Sequence, residues 1–226
     1  MQNRSLLFAG VPLICALSCQ IAGAAQPVKP QCINYTRFHV KFDLPTGSSA
    51  KDEPREVELH ASTDQGATWD VVGTAKPAER RILFTAPADG EYWFMPRTKY
   101  ASGKYLPQGP PAAELKVVVD TVPPALDLEA RDEQGEVVIR WSVSDQHLKA
   151  DSFKLEYRVV GPNAQWQRVA VDAAEKPSSA GELHGETTFV LPIREQSAAI
   201  VVRAEATDAA GNHTIKEQPL KPPSLA

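Results

Sequence analysis

Four aspartates near the predicted domain junction are the residues best suited to bind a metal ion. They are Asp120, Asp145, Asp151 and Asp208. Calcium takes about six to eight oxygen ligands, often carboxylates. The spacing contains no EF-hand run, and aspartates at turns commonly accept hydrogen bonds from nearby backbone. We therefore predict no metal and no other cofactor, with a calcium ion at the junction as the alternative.

The histidines and nucleophilic residues show no catalytic spacing. None of the five histidines (His39, His60, His147, His184 and His213) forms an H-x-H or H-E-x-x-H pattern. His39 and His60 alternate with apolar neighbours in predicted strands, so we expect both to face solvent. G-x-S-x-G and a phosphate-binding glycine loop are also missing from the sequence. We predict no catalytic residues and a protein that is not an enzyme.

The segment Ser62-Thr63-Asp64-Gln65-Gly66-Ala67-Thr68-Trp69 carries local turn chemistry. Asp64 can accept backbone N–H bonds, Gly66 can adopt positive φ, and Trp69 can pack against the hairpin. The spacing S-x-D-x-G-x-T-W resembles the Asp-boxes of sialidase-type propellers, which are repeated and not catalytic. One copy in a chain of 226 residues excludes such a propeller. We predict a structural turn at Asp64, Gly66 and Trp69, with a carbohydrate-linked role as the alternative.

An aromatic and basic segment provides the best candidate contact surface. The sequence Tyr92-Trp93-Phe94 precedes a predicted long loop over residues 98–111. Long loops on rigid sandwiches often carry binding residues, and tyrosines with basic neighbours can stack on sugars or dock a protein. The predicted partner or ligand contacts are Arg97, Tyr100, Lys104 and Tyr105. The alternative is a loop that only covers the end of the sandwich.

The N-terminus has the three parts of a secretory signal. Arg4 precedes an apolar run from Leu6 to Leu17, and Ala22-Gly23-Ala24 supplies small residues for cleavage. We predict a signal peptide over 1–24 and a mature chain that is periplasmic or extracellular. Ala16-Leu17-Ser18-Cys19 matches a lipoprotein box imperfectly, so anchoring through Cys19 is a less favoured alternative.

Removal of residues 1–24 restricts the remaining chemistry. Cys32 becomes the only cysteine, so an intramolecular disulfide and a cysteine metal site are excluded, and we expect a thiol that is buried or without a role. The loss of Arg4 changes the formal net charge from −4 to −5. Without a strong basic patch, we predict no nucleic-acid partner, and we predict no integral membrane span in the mature chain.

Short alternating segments dominate the chain between these features. Apolar residues alternate with polar ones at Phe38, Val40, Phe42 and Leu44, and again at Val137, Ile139, Trp141 and Val143. Alternation over short runs bounded by glycine and proline indicates antiparallel strands with one buried face. We predict an all-β protein with two tandem antiparallel β-sandwiches after the signal peptide.

The diproline in Asp120-Thr121-Val122-Pro123-Pro124 places the domain boundary, because proline fixes φ and removes an amide donor. The predicted divisions are a first sandwich over 32–119, a linker over 120–124, a second sandwich over 125–215 and a proline-rich tail over 216–226. The second sandwich has about six short strands in roughly 90 residues, which is typical of an immunoglobulin-like domain.

Two motifs resemble those of bacterial immunoglobulin-like and fibronectin-III-like modules. Asp120-Thr121-Val122-Pro123-Pro124 is similar to their D-T-x-P-P start, and Asp208-Ala209-Ala210-Gly211-Asn212 is similar to their D-x-x-G-N turn. The resemblance implies structural turn roles for Asp208, Gly211 and Asn212, and an extracytoplasmic setting. Trp141 would be a core tryptophan. Such modules serve adhesion, tethering, spacing and ligand binding, so the fold alone does not give the function.

These observations favour a non-enzymatic extracytoplasmic interaction or spacer protein of the cell envelope, with an envelope protein or polysaccharide as its partner. The alternative is a carbohydrate-binding or accessory module of a polysaccharide-active system. Exposed rings at Trp93, Tyr100 and Tyr105 would favour that alternative, and their burial would count against it. A third hypothesis is a small hydrolase, which a concave pocket with two carboxylates or a His–Asp pair would favour.

Overall fold

The computed structural model describes residues 28–44, 52–133, 136–162, 164–171, 181–192, 195–196 and 198–221. The predicted signal peptide over 1–24 and the last part of the predicted tail, 222–226, lie outside these residues. None of the helices in the described residues is long and apolar enough to cross a membrane.

The larger sheet of the first sandwich contains six strands. They are β1 (Gln31–Ile33), β3 (Pro54–Ser62), β4 (Asp70–Ala75), β6 (Gly90–Tyr100), β7 (Tyr105–Leu106) and β8 (Leu115–Val119). The strand order is β1-β8-β6-β3-β4, and β7 pairs with β6. All pairs are antiparallel except β1–β8, which is parallel. The expectation of purely antiparallel sheets is therefore wrong at this one pair.

The smaller sheet of the first sandwich consists of β2 (Arg37–Lys41) and β5 (Arg81–Thr85). Its inner face packs on the larger sheet through aromatic side chains. The ring centroid of Phe84 lies 4.9 Å from that of Phe94 and 5.4 Å from that of Tyr92. Edge-to-face contacts of this kind add to the stabilisation that burial provides. The alternation predicted around Phe38 and Val40 reflects this core.

The second sandwich has sheets of three and four strands. The first has the order β13-β10-β9, from β9 (Ala125–Glu133), β10 (Glu136–Ser144) and β13 (Glu182–Val190). The second has the order β12-β11-β14-β15, from β11 (Lys154–Val159), β12 (Gln167–Arg168), β14 (Ile200–Thr207) and β15 (His213–Leu220). Trp141 is buried and stacks on Phe153 with ring centroids 4.1 Å apart, as a core residue.

The prediction of an all-β chain built from several sheets is confirmed. The predicted tail, however, begins too early at residue 216. Strand β15 continues to Leu220, which pairs with Ile200. Pro219 lies within β15, and proline is tolerated in a strand at the edge of a sheet, which is the position of β15.

Candidate functional site

The linker between the sandwiches is hydrogen-bonded to the first one. The amide of Asp120 donates to the carbonyl of Ile33 at 3.0 Å. The amide of Thr121 donates to Asp89 Oδ2 at 2.8 Å, and the Thr121 hydroxyl donates to the same carboxylate at 3.0 and 3.1 Å. Asp89 directly precedes β6, so the linker is attached to the loop that positions this long strand.

The same linker is hydrogen-bonded to the second sandwich. The side-chain amide of Asn212 donates to the carbonyl of Asp120 at 2.7 Å and to the carbonyl of Val122 at 3.4 Å. The hydroxyl of Thr214 donates to the carbonyl of Pro124 at 2.7 Å. Both donors lie at or beside the start of β15, so the linker is fixed from both sides.

The turn over residues 208–212 positions Asn212. The carboxylate of Asp208 is only 2% exposed. It accepts hydrogen bonds from the amide of Gly211 at 2.7 Å, the amide of Asn212 at 2.8 Å and the Asn212 side chain at 2.7 Å. Gly211 has a φ of 94°, which explains the glycine. Each residue of the D-x-x-G-N motif that we singled out thus takes part in the turn that holds the linker.

An acidic and histidine group lies beside the linker. One ligand atom from each of Asp120, Asp145 and His147 lies within 4.8 Å of the others. His147 Nδ1 is 2.8 Å from Asp120 Oδ2, and Asp145 Oδ1 accepts from the amide of His147 at 2.6 Å. Burial raises the pKa of Asp145, and the charges of Asp120 and Asp208 raise it further. Asp151 is exposed in the short turn Ala150–Ser152 and is not part of this group.

This group lines a cleft of about 510 Å³ between the sandwiches. The donor set of two carboxylates and one imidazole suits a divalent cation, but it supplies fewer ligands than calcium takes. Asp120 is largely engaged, because its Oδ1 accepts from the amide of Val122 at 3.2 Å and its Oδ2 meets His147. The pair therefore holds the loop that carries His147 against the linker.

Cys32 is the thiol nearest to this junction in the described residues. It pairs with Val118 in the β1–β8 ladder and is partly buried. Burial raises the pKa of the Cys32 thiol, and the carboxylates of Asp120 and Asp208 raise it further. A raised pKa lowers the thiolate fraction, so this environment disfavours a nucleophilic role.

The Asp-box segment forms the turn between β3 and β4. Asp64 accepts hydrogen bonds from the Thr68 amide at 2.9 Å, the Thr68 hydroxyl at 2.6 Å and the Ser62 hydroxyl at 2.7 Å. The side-chain bond from Thr68 is the main reason why the pKa of Asp64 falls to about 2. Gly66 has a φ of 89°, and its carbonyl accepts from Trp69 Nε1 at 3.0 Å.

The Trp93 side chain packs against this turn at Gly66. A Cβ on Gly66 would lie 3.3 Å from the Trp93 ring, a tight contact that adds to the preference for glycine at this positive φ. Lys116 Nζ lies 3.4 Å from the centroid of the Trp93 ring, and the indole N–H donates to Glu91 at 2.8 Å. The ring is thus in contact with its own domain and does not form an open platform for a sugar.

The predicted contact residues do not form one exposed group. Tyr100 is only 3% exposed, so the expectation that it contacts a partner is wrong. Tyr105 is half-buried; its hydroxyl donates to Glu58 at 2.9 Å, and the Arg97 guanidinium lies 5.3 Å from its ring centroid. Lys104 is exposed.

The predicted loop over 98–111 is also wrong in part. Strand β6 continues to Tyr100, and β7 returns beside it with Lys99 opposite Tyr105. Because side chains alternate along a strand, the continuation of β6 places Tyr100 on the same buried face as Phe94 and Thr98. Sequence reasoning missed the hairpin because the glycines and prolines nearby indicate an open loop equally well.

Two junction residues were also missed. Asp89 is hydrogen-bonded to Thr121 of the linker, 32 positions away in the sequence. His147 is hydrogen-bonded to Asp120, 27 positions away. Neither contact has a signal in the local sequence, since each depends on how distant loops meet at one end of a sandwich.

No protein-family model matches the chain, and a comparison with curated proteins finds no match. Solved structures provide distant likenesses. The fibronectin(III)-like modules of Clostridium thermocellum CbhA align with 14% identity and a TM-score of 0.40, over 88% of this chain and 94% of that one. A marsupial T cell receptor aligns with 9% identity and a TM-score of 0.32, over 87% of this chain and 96% of that one.

Proposed function

We propose that this chain is a non-enzymatic extracytoplasmic spacer and interaction protein of the cell envelope. The observation that carries the proposal is the linker over 120–124, which is hydrogen-bonded to both sandwiches. Asp89 and Ile33 bind it from the first, and Asn212 and Thr214 bind it from the second. A spacer needs this property, because a fixed linker transmits the orientation of one domain to the next.

The chemistry of the linker supports a stiff connection. Pro123 and Pro124 restrict φ and remove two amide donors. The linker therefore loses little further conformational entropy when its hydrogen bonds to the two sandwiches form. Pro124 is fully buried and Asp120 is 7% exposed, so the bonds at these residues are shielded from water. Two domains joined by a linker are expected to move relative to each other unless contacts hold them. The hydrogen bonds from both sandwiches to this linker oppose that motion.

The cleft at the junction favours a structural role over catalysis. Its lining includes four carboxylates, those of Asp89, Glu91, Asp120 and Asp145, and a His–Asp pair, the arrangement that would favour a hydrolase. Among the described residues, however, no hydroxyl or thiol is hydrogen-bonded to His147 to act as its nucleophile. The pair joins a loop to the linker, which is the role that a spacer requires.

Two of the three predicted aromatic residues, Trp93 and Tyr100, give the carbohydrate alternative no support. Tyr100 is buried and Trp93 is covered by Lys116. Sugar recognition by stacking needs an exposed ring face, and these two rings do not offer one. The extracytoplasmic part of the proposal rests on the signal pattern in residues 1–24.

Residual dipolar couplings of the two sandwiches in the protein without residues 1–24 test the spacer role. We expect both domains to report one alignment tensor. Asn212→Ala should separate the tensors, whereas Thr85→Ala, an exposed substitution in β5, should not. Different tensors in the unsubstituted protein would contradict a fixed junction.

Export has its own test. The full chain is produced in a bacterial host, and the mass of the protein in the periplasmic fraction is measured. We expect a mature N-terminus near residue 25. Cytoplasmic protein with an intact N-terminus would contradict the location but not the rigid junction.

A further inference from the structure

In the small sheet of the first sandwich, the edge of β2 that faces away from β5 has no neighbouring strand among the described residues, and we call it the free edge. In the second sandwich, β10 is flanked by β9 on one side and β13 on the other. In the first sandwich, β2 pairs with β5 alone among the described residues. The difference arises because β1, which precedes β2 in the chain, pairs in parallel with β8 in the opposite sheet. The position beside β2 that corresponds to β9 is therefore unfilled by the described chain.

The hydrogen-bond pattern shows which backbone groups face this edge. The amide of Phe42 donates to the carbonyl of Arg80 at 3.1 Å, and the amide of Ala86 donates to the carbonyl of Thr36 at 2.8 Å. In an antiparallel pair, hydrogen-bonded residues alternate with residues whose N–H and C=O point away from the partner strand. The backbone groups of Arg37, His39 and Lys41 therefore point away from β5, toward the free edge.

On its β5 side, this small sheet lies close to β4 of the larger sheet, although no ladder joins the two strands. A Cβ on Gly73 of β4 would lie 2.8 Å from the Ile82 side chain of β5, so the two sheets meet closely there. Glycine at this position permits the approach. On the β2 side, no described strand other than β5 is hydrogen-bonded to β2.

The outer face beside the free edge is basic. The side chains of Arg37, His39 and Lys41 are exposed and lie opposite Thr85, Leu83 and Arg81 on β5. None of these six residues is acidic, and Arg37, Lys41 and Arg81 form no ion pair with another described residue. Three fixed positive charges on a small sheet repel one another, and a neighbouring strand of opposite charge would relieve this.

The second sandwich shows how such charges are matched. Arg140 on β10 lies opposite Glu129 on β9 and opposite Glu186 on β13. Its guanidinium is bonded to Glu186, and the Glu129 charge also raises the pKa of Arg140. Strand β9 has the required alternation, since Leu126 is buried while Asp127 and Glu129 are exposed. Among the described residues, no corresponding strand lies beside β2.

The inner face of the free edge is apolar. Phe38 of β2 is only partly buried, although its ring lies 5.5 Å from that of Phe84 and 5.9 Å from that of Phe94. An added strand would place alternate side chains over Phe38 and the others beside the basic residues. Asp43, two positions after Lys41, is exposed just beyond β2. The segment 45–51 that follows it contains no acidic residue, so it does not carry the complementary charge.

We propose that the free edge of β2 binds an extended segment of a partner protein whose residues alternate between apolar and acidic. The segment adds as an antiparallel strand, with its backbone bonded to Arg37, His39 and Lys41. Its acidic side chains lie on the outer face, and its apolar side chains cover Phe38. This mode of recognition takes affinity from main-chain hydrogen bonds and specificity from alternate side chains.

The probe for the first test is a fluorescein-labelled peptide with the sequence of residues 125–133, measured by fluorescence anisotropy against the purified full chain. We expect saturable binding, reduced by about tenfold or more in Arg37→Glu/Lys41→Glu, since like charges then meet across the strands. The matched control, Arg55→Glu/Lys76→Glu, reverses two exposed charges elsewhere in the same domain and should bind within about twofold of the original protein. No binding up to roughly 1 mM peptide would overturn the proposal.

A second test separates strand addition from charge attraction and needs no change in the protein. One peptide carries N-methyl groups on Leu126, Leu128 and Ala130, and the other carries them on Asp127, Glu129 and Arg131. In a strand, only one of these sets directs its N–H groups toward β2. We expect one peptide to lose binding and the other to retain it. Equal binding of both peptides would overturn strand addition and leave only an electrostatic surface.

His39→Pro tests the same edge from the protein side. The N–H of His39 points away from β5, so proline is tolerated by the existing ladder while it removes a donor from the edge. We expect a retained thermal transition and a loss of peptide binding. A folded His39→Pro variant that binds as well as the original protein would contradict the proposal.

Discussion

The side-chain amide of Asn212 donates to the main-chain carbonyl of Asp120 at 2.7 Å, across 92 positions of the chain. This bond joins the turn before β15 to the first residue of the linker. The same amide group also bonds to Asp208, which is 2% exposed. One side chain therefore connects the fold of the second sandwich to the position of the first.

Replacement of Asn212 by alanine should lower the stability of the second sandwich by about 1–3 kcal/mol. The change removes hydrogen bonds to the buried carboxylate of Asp208 and to the carbonyl of Asp120, and leaves both acceptors less satisfied. Asn212→Asp should be worse, because it places a second carboxylate about 2.7 Å from Asp208. Urea unfolding followed by circular dichroism measures both. An alanine variant as stable as the original protein would show that the bond contributes nothing to folding.

The Asp-box turn should make stability depend on pH at low pH. The pKa of Asp64 is lowered from 3.8 to about 2 in the folded protein, mainly by the Thr68 side chain. A depressed folded-state pKa gives stability that is fully present above the unfolded value and is lost as pH falls toward the folded value. The melting temperature of Asp64→Asn should therefore lie below that of the original protein at about pH 6. This difference should narrow between roughly pH 4 and pH 2, the range between the unfolded and folded pKa values of Asp64.

The control for this prediction is Asp70→Asn, an exposed aspartate at the start of β4. Its melting-temperature difference should stay small over the same range. A gap for Asp64→Asn that remains constant down to pH 2 would contradict a role for the ionised carboxylate.

Local chemistry made much of the fold and part of the junction predictable. Alternation at Val137, Ile139 and Trp141 gave strand β10, because a half-buried strand must present every second residue to the core. The D-x-x-G-N turn was also visible, since its bonds join residues within five positions of one another. Such features depend on few residues and little on the rest of the chain.

Contacts between distant segments were not predictable in the same way. The burial of Tyr100 depends on the β6–β7 hairpin, and the contact of His147 with Asp120 depends on two loops that meet at the linker. The free edge of β2 depends on β1 joining the opposite sheet. The three residues of β1 are compatible with either sheet, and their sequence does not choose between them.

The burial of Tyr100 provides a clear distinction between structural and binding roles. Tyr100→Ala should destabilise the first sandwich by about 3 kcal/mol or more, because a large buried side chain is removed. Lys104→Ala, four positions away and exposed, should change stability by less than about 0.5 kcal/mol. Chemical denaturation measures both variants. Equal and small effects would show that Tyr100 is not a core residue.

Gly185 provides the sharpest packing test in the second sandwich. It lies opposite Trp141 in the β10–β13 ladder, and a Cβ at this position would lie 2.6 and 2.9 Å from two atoms of the Trp141 ring. The indole cannot withdraw freely, because it stacks on Phe153 with centroids 4.1 Å apart. Gly185→Ala should therefore cost about 1–3 kcal/mol through overpacking, although alanine normally suits a strand better than glycine does.

Gly161→Ala is the matched control, because a Cβ there meets no atom within 4 Å. This substitution should change stability by less than about 0.5 kcal/mol. Urea unfolding of the two variants decides the matter: equal midpoints would mean that the ring moves aside without cost, and that the close approach of β13 to Trp141 does not require glycine.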